Sequence, residues 1–138
     1  MTDQRYSISE VARRFGVPVS TLRYYDELGL LPPAGRRANV RCYGRRELRR
    51  LVLIQRLHQH GLVSLADTGV LIAEPPPEGR PPGRAVLAAS IRKQIADLQA
   101  AQRLLEHLLT CPTEDPVREC TKLRTELDQL VDSRLPTG

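Results

Sequence analysis

The chain has 138 residues, which is enough length for one small domain with an appendage, and its formal net charge is +5. The sequence has no apolar run approaching the ~18 residues of a membrane span, and its N-terminus lacks the apolar stretch of a signal peptide. We therefore predict a cytoplasmic protein with no membrane partner. In such a chain, three cysteines favour thiol chemistry or metal binding over a structural disulfide.

Positive charge is concentrated in the first half of the chain. Twelve arginines lie within residues 1–62, where only five aspartates and glutamates accompany them. A basic half joined to a nearly neutral half indicates a polyanion-binding head and a separate module. We divide the chain into a head (residues 1–73), a connector (74–83), a long helix (84–110) and a C-terminal segment (111–138).

The start of the head has the pattern of a helix-turn-helix. A first helix is predicted over Ser9–Phe15, with Ser7 or Ser9 as its cap and Gly16 at its end. Ser20 is a plausible cap for a second helix, which runs to about Leu28 and carries a basic and aromatic face. Two helices joined by a tight turn and followed by an arginine-rich loop are what a winged helix-turn-helix needs to bind DNA.

The rest of the head predicts a wing and two further helices. Gly35–Tyr43 is expected to form a β-hairpin with Asn39 at its tip, because asparagine tolerates positive φ better than most residues. The apolar spacing over Arg45–His60 predicts a third helix. Ser64 begins a fourth helix that ends near Ala73.

Residues 74–83 contain five prolines, so they predict an extended connector rather than a helix. Residues 84–110 then form one long helix whose apolar positions alternate in steps of three and four, which is the spacing of a coiled-coil seam. These positions are Ala88, Ile91, Ile95, Leu98, Gln102, Leu105 and Leu109. An isolated helix cannot bury such a seam, so we expect a second copy of the chain to cover it. A last short helix is predicted over Cys120–Val131, with its leucines facing inward.

The most specific motif is TLRYYD at residues 21–26, and it is followed by Gly29, Leu30, Pro33, Arg36, Arg41 and Tyr43. These residues resemble the mercury-resistance-regulator (MerR) family of bacterial transcription factors. The resemblance implies a mainly α fold with a winged helix-turn-helix head, a long dimerisation helix forming an antiparallel coiled coil across a homodimer, and a C-terminal cysteine loop with a short helix. It also implies a near-palindromic promoter with an overlong spacer, which the active dimer distorts so that RNA polymerase reads both promoter boxes.

By this resemblance, two groups of residues contact DNA. The contacts of the second helix are Ser20, Thr21, Arg23 and Tyr24, and those of the wing are Arg36, Arg37, Arg41 and Tyr43. From the residues alone, Tyr43 fits an anchor between wing and core equally well, and Tyr25 fits packing better than a DNA contact. Cys42 is read as a small apolar filler, because no other thiol or histidine lies near it in sequence.

Cys111 and Cys120 lie nine residues apart, directly after the long helix. A cysteine at each end of such a loop is similar to the way metal-sensing MerR members hold an ion, and thiolates suit Zn, Cd, Hg and Cu(I). Asp115 and His107 are candidate further ligands, since Asp115 lies in the loop and His107 lies one helical turn before Cys111. Without a third ligand, two thiolates suit linear coordination of Cu(I), Ag(I) or Hg(II).

Other functions stay open at this point. The two cysteines also fit a reversible disulfide that senses oxidant, or inert residues in a regulator of organic molecules. A constitutive architectural DNA-binding protein would need the head and the long helix but no cysteine loop. An enzyme is not expected, because the chain has no glycine-rich phosphate loop and no nucleophile with a positioned base.

Overall fold

A computed structural model describes residues 4–136. Two compact units are present, and the boundary between them falls after Ser90, inside the long helix. The first unit contains β1 (Tyr6–Ser7), α1 (Ile8–Phe15), α2 (Val19–Glu27), β2 (Gly35–Arg37), β3 (Val40–Tyr43), α3 (Arg45–Ile54), a π-helix (Gln55–His60) and α4 (Leu65–Ile72). The helix α5 (Gly83–Leu109) begins in this unit, and α6 (Pro116–Glu119) and α7 (Thr121–Arg134) follow in the second.

The first helix is closed at both ends by local sequence. Ser7 caps α1: its hydroxyl accepts from the Glu10 N–H at 3.3 Å, while the Glu10 carboxylate accepts from the Ser7 N–H at 2.9 Å. Gly16 ends the helix with a φ of +65°, as predicted. The prediction that Ser20 caps α2 is wrong, because α2 begins at Val19 after Pro18 and has no side-chain cap.

The wing is larger than a hairpin. Its turn residues, Ala38 and Asn39, both have positive φ, which confirms Asn39 at the tip and suits the twist of a two-residue hairpin. The segment before α1, which we did not predict as a strand, adds β1 to the sheet, so that the order is β1-β3-β2 with antiparallel neighbours. The strand β3 is therefore central, and its last residue faces the core.

One apolar core unites the helices and the sheet of the head. Residues from α1, α2, β3, α3 and the loops between them are buried together: Ile8, Val11, Val17, Leu22, Tyr25, Leu30, Leu31, Tyr43, Leu51 and Ile54. Leu22 and Tyr25 lie on one face of α2, which leaves the opposite face to solvent. The interpretation of Tyr25 as a packing residue agrees with its burial.

The predicted third helix over residues 45–60 is only partly α-helical. Its last six residues, Gln55–His60, form a π-helix. The Gln55 amide donates to the Phe15 carbonyl at 3.0 Å, and a His58 ring nitrogen lies 2.7 Å from the Val63 carbonyl oxygen. Gly61 follows the π-helix with a negative φ, and a Cβ there would lie 2.8 Å from the Leu57 carbonyl oxygen. Glycine is needed at this position for close approach to the backbone.

The C-terminal segment differs from the prediction in three ways. The loop between the cysteines contains the short helix α6, and α7 extends three residues beyond the predicted end at Val131. Leu127 and Leu130, which we expected to face inward, are 49% and 53% exposed in the single chain. The long helix itself runs one residue from its predicted limits at each end.

Tyr43 gives a stability prediction for the head. The side chain is fully buried, and in the part of the chain that the structure describes its hydroxyl has no hydrogen-bond partner. Burial raises the pKa of this phenol, so the hydroxyl stays protonated. Removing an unsatisfied buried hydroxyl avoids its desolvation cost, so Tyr43→Phe is expected to leave the free energy of unfolding unchanged or raise it by up to about 1 kcal/mol. Urea unfolding measures this.

Tyr43→Ala serves as the control for the apolar contribution and is expected to cost about 3–5 kcal/mol. A loss above about 1 kcal/mol in Tyr43→Phe would contradict the interpretation, since it would show that the hydroxyl has a partner.

Candidate DNA-binding face and cysteine site

The surface of α2 opposite the core carries most of the predicted helix contacts. Ser20 and Arg23 are exposed, Thr21 is half-buried, and Tyr24 is 48% exposed. The exposure of these side chains follows from the burial of Leu22, because that burial fixes the rotation of α2 about its axis. A cation, an aromatic ring and two hydroxyls on one exposed face can bind phosphates and base edges.

The wing supplies the second group of cations. Arg36 and Arg37 are exposed on β2, where Arg36 pairs with Arg41 of β3. Arg41 is half-buried, and its Nε donates to Asp26 of α2 at 2.8 Å. The hydrogen bond to Asp26 raises the pKa of the Arg41 guanidinium. Arg41 thus joins the wing to α2, a role that the sequence did not indicate.

Tyr43 does not join this face. It has no exposed surface, so the prediction that it contacts DNA is corrected to the alternative, an anchor between wing and core. The physical reason is the sheet register. As the last residue of β3, Tyr43 pairs with Tyr6 and packs among the helices.

The structure brings Cys111 and Cys120 to one site in the C-terminal segment. Both line a cavity of about 500 Å³. Cys111 follows the end of α5, and Cys120 forms the N-cap of α7, where its sulfur accepts from the Leu123 N–H at 3.4 Å. The two thiol side chains are also within hydrogen-bonding reach of each other. Two sulfurs facing one cavity are a donor set for a soft metal ion or a dithiol that can be oxidised.

The electrostatics at Cys111 differ from our expectation. We expected the acidic loop to raise the pKa of the thiols, and Glu119 acts in that direction. The hydroxyl of Thr113, whose oxygen lies 3.4 Å from the Cys111 sulfur, outweighs it together with the Thr113 backbone N–H, so the pKa of Cys111 is lowered. Hydrogen bonds that stabilise a thiolate raise the deprotonated fraction of the thiol at a given pH, and the thiolate is the form that binds metals and acts as a nucleophile.

The two candidate further ligands differ in their surroundings. His107 lines the same cavity as the cysteines. The Asp115 carboxylate accepts from the Arg118 N–H at the start of α6 and forms an ion pair with the Arg118 guanidinium at 2.8 Å. Among residues 4–136, no group of three or more His, Cys, Asp and Glu side chains is placed to hold a metal. Within one chain, the cavity brings together the thiols of Cys111 and Cys120.

Three residues of these sites were missed by sequence reasoning. Asp26 lies within the TLRYYD motif, but only the fold brings it to Arg41. Thr113 reaches Cys111 because the loop turns back on itself. Arg5 lies beside the wing, with one guanidinium nitrogen 3.2 Å from where a Cβ on Gly35 would be. No sequence pattern indicated these contacts, since each depends on a backbone turn or a strand pairing.

Residues 6–67 match the family described as MerR HTH family regulatory protein. The chain is 31% identical to HiNmlR, a MerR family regulator lacking the sensor domain whose structure was solved bound to promoter DNA; the match covers 78% of this chain and 89% of that one, with a TM-score of 0.54. The chain belongs to the MerR family. The relatives that carry this match are regulatory proteins, among them HTH-type transcriptional regulators.

Two further MerR relatives bear on metals. The chain is 28% identical to the mercuric resistance operon regulatory protein of Bacillus cereus, over 88% of this chain and 96% of that protein. It is 30% identical to the transcription regulator PbrR691 from Ralstonia metallidurans CH34, solved in complex with lead(II), over 86% and 96% of the two chains with a TM-score of 0.58.

Other curated relatives match over less of their length. In two of these the match spans 41% and 54% of the relative.

None of the helices within residues 4–136 combines the length and the apolar character that crossing a membrane requires.

The contact between Thr113 and Cys111 gives a prediction about thiol reactivity. Thr113→Val removes the hydroxyl and is expected to raise the pKa of Cys111, because the variant lacks the hydrogen bond that lowers this pKa the most. The thiolate fraction at a given pH then falls, and alkylation of Cys111 by iodoacetamide slows below the thiol pKa. Peptide mass spectrometry across a pH series measures the rate at this cysteine alone.

Thr121→Val is the matched control, since Thr121 lines the same cavity without a hydrogen bond to Cys111 in the described structure. An unchanged pH profile in Thr113→Val would contradict the role of the hydroxyl.

Proposed function

We propose that this MerR-family regulator is a homodimer that binds a near-palindromic promoter through α2 and the wing, and that a thiophilic metal ion at Cys111 and Cys120 is its effector. In the metal-bound state it distorts an overlong spacer so that RNA polymerase reads both promoter boxes. Its place of action is the bacterial nucleoid in the cytoplasm. The observation that carries the effector proposal is the convergence of the two thiols on one cavity.

The donor set indicates the class of metal. Two sulfurs, one of them with a lowered pKa, favour soft ions over Mg or Ca. Zinc prefers four ligands, whereas two thiolates suffice for linear Hg(II) or Cu(I). The residues of one chain therefore fit Hg(II) or Cu(I), with Cys111 and Cys120 as ligands and Thr113 as a hydrogen-bond donor to sulfur. The similarity to a mercuric resistance regulator and to a lead-binding regulator supports a metal effector.

Exposed apolar surface supports the homodimer. No side chain between residues 91 and 136 is classed as buried. Most members of the predicted seam are more than half exposed in the single chain, namely Ile91, Ile95, Leu98, Leu105 and Leu109. A helical unit without buried side chains has no core of its own, and a second copy would supply one.

The DNA proposal follows from the charges on the head. Arg23 and Arg36 present exposed guanidinium groups on α2 and the wing. In a dimer, two such heads would contact half-sites on one face of the duplex, and bending that duplex costs several kcal/mol that two-headed binding can supply.

A redox function is the alternative that a specific observation favours. The two thiols line one cavity and lie close enough to interact, so oxidation by hydrogen peroxide would join them: two S–H bonds and the O–O bond break, one S–S bond and two O–H bonds form, and two waters leave. Metal binding and disulfide formation consume the same thiols, so one set of variants separates them.

The effector proposal is tested by titrating the reduced protein with Hg(II), Cu(I), Cd(II) and Zn(II) against a thiol competitor. We expect tight binding of Hg(II) and Cu(I), and a loss of at least about 100-fold in both Cys111→Ser and Cys120→Ser, since even outer-shell partners cost 10–100-fold. Asp115→Asn is expected to bind normally, because the carboxylate is engaged by Arg118.

Cys42→Ser is the matched control, since Cys42 is buried in the head and is expected to leave metal affinity unchanged. Absence of metal binding by the reduced protein would overturn the metal proposal. The redox alternative would be established if promoter activation is lost only after peroxide treatment, and if either cysteine variant no longer shows this loss.

The DNA face is tested by Arg23→Ala and Arg36→Ala. Each is expected to weaken binding to the promoter and to reduce the slope of log affinity against log salt by about 0.9 for each phosphate that the variant no longer neutralises. Fluorescence anisotropy over a salt series measures both quantities. Arg134→Ala, an exposed arginine on α7, is the control and is expected to change neither; equal affinity in all three variants would overturn the proposed face.

A further inference from the structure

We propose that Asp26 is a positioning residue for DNA binding: its carboxylate holds Arg41 and thereby fixes the wing relative to α2. The observation is the 2.8 Å contact between Asp26 Oδ2 and Arg41 Nε, in which the two side chains are only 24% and 23% exposed. Asp26 lies on α2 and Arg41 on β3, so the contact joins the two elements. This inference rests on the proposed DNA face.

Two electrostatic effects disfavour the carboxylate of Asp26 at its place on α2. A carboxylate beside a phosphate-binding surface repels DNA. It also lies in the last turn of the helix, where the macrodipole disfavours negative charge. Both effects predict that removing the carboxylate would help DNA binding and the helix. Its presence therefore needs a compensating contact, and Arg41 is that contact.

The strand register of the wing shows which charge repulsion the Asp26 carboxylate offsets. Arg36 of β2 lies directly opposite Arg41 of β3, and like charges in this arrangement destabilise a strand pair. Asp26 places a negative charge on one member of this pair. A charge-assisted hydrogen bond between partly buried groups is stronger than an exposed ion pair, so it can hold the two arginines in the same short hairpin.

The geometry also leaves Arg41 able to act. The contact with Asp26 uses Nε, and a guanidinium has four further N–H groups. An arginine held at Nε loses less conformational freedom when those groups bind phosphate. The carboxylate thus organises the cations of the wing, whereas Arg23 on the exposed face of α2 forms no ion pair with it in the described structure.

The test compares Asp26→Ala with Glu27→Ala. Both remove one carboxylate from the last turn of α2, but Glu27 is exposed and, within the described residues, it acts on Arg41 only as a weaker charge and without the hydrogen bond that Asp26 accepts. Positioning predicts that Asp26→Ala binds the promoter about 3- to 10-fold more weakly, whereas Glu27→Ala binds equally well or more tightly. Asp26→Asn keeps an acceptor for Nε–H and is expected to fall between wild type and Asp26→Ala, and it also serves if alanine prevents folding.

The pair is then tested in the Arg41→Gln background. With the partner gone, Asp26→Ala only removes a negative charge, so it is expected to tighten DNA binding, reversing its sign. Thermal unfolding of every variant separates a change in stability from a change in affinity of the folded protein. A merely structural role would lower the melting temperature without this reversal.

The outcomes are distinct. Weaker binding by Asp26→Ala than by Glu27→Ala, with reversal in the Arg41→Gln background, supports the inference. Equal or tighter binding by Asp26→Ala, while Arg23→Ala and Arg36→Ala bind weakly, overturns the positioning role and leaves the DNA face in place. Normal binding by Arg23→Ala and Arg36→Ala overturns the face itself, and this inference with it.

Discussion

Burial of Leu22, Tyr43 and Leu51 in one core connects α2, β3 and α3. Because protein interiors are close-packed, none of these elements can shift alone without opening a cavity. The packing rotates α2 so that Arg23 faces solvent. Polar contacts are added over this core: the Arg50 Nε donates to the Leu30 carbonyl at 2.6 Å, which holds the chain after α2 against α3. The geometry of the proposed DNA-binding face depends on a core that contains none of its proposed contact residues.

The C-terminal segment is stabilised differently from the head. Its helices are well formed, yet no side chain between residues 91 and 136 is classed as buried, so local hydrogen bonds rather than a core define them within one chain. A ligand that binds such a segment would add contacts that one chain lacks. The two cysteines lie just after the end of α5 and at the start of α7.

Opposing electrostatic effects meet at both sites. At Cys111, hydrogen bonds from Thr113 outweigh the charge of Glu119. At the wing, the carboxylate of Asp26 neutralises part of a cationic hairpin that would otherwise repel itself. At both sites a direct contact opposes a longer-range charge interaction, and charge interactions between exposed groups are weakened by water and salt.

The sequence by itself determined the order of the helices, the turn at Asn39, the limits of α5 and the two-cysteine loop. These features depend on local chemistry, namely positive φ, proline and helical periodicity. The tertiary structure alone decided the strand β1, the π-helix after Ile54, the burial of Tyr43 and the partners of Asp26 and Thr113. Each of these results from strand pairing, core packing or a returning loop, which brings together residues that no local pattern connects.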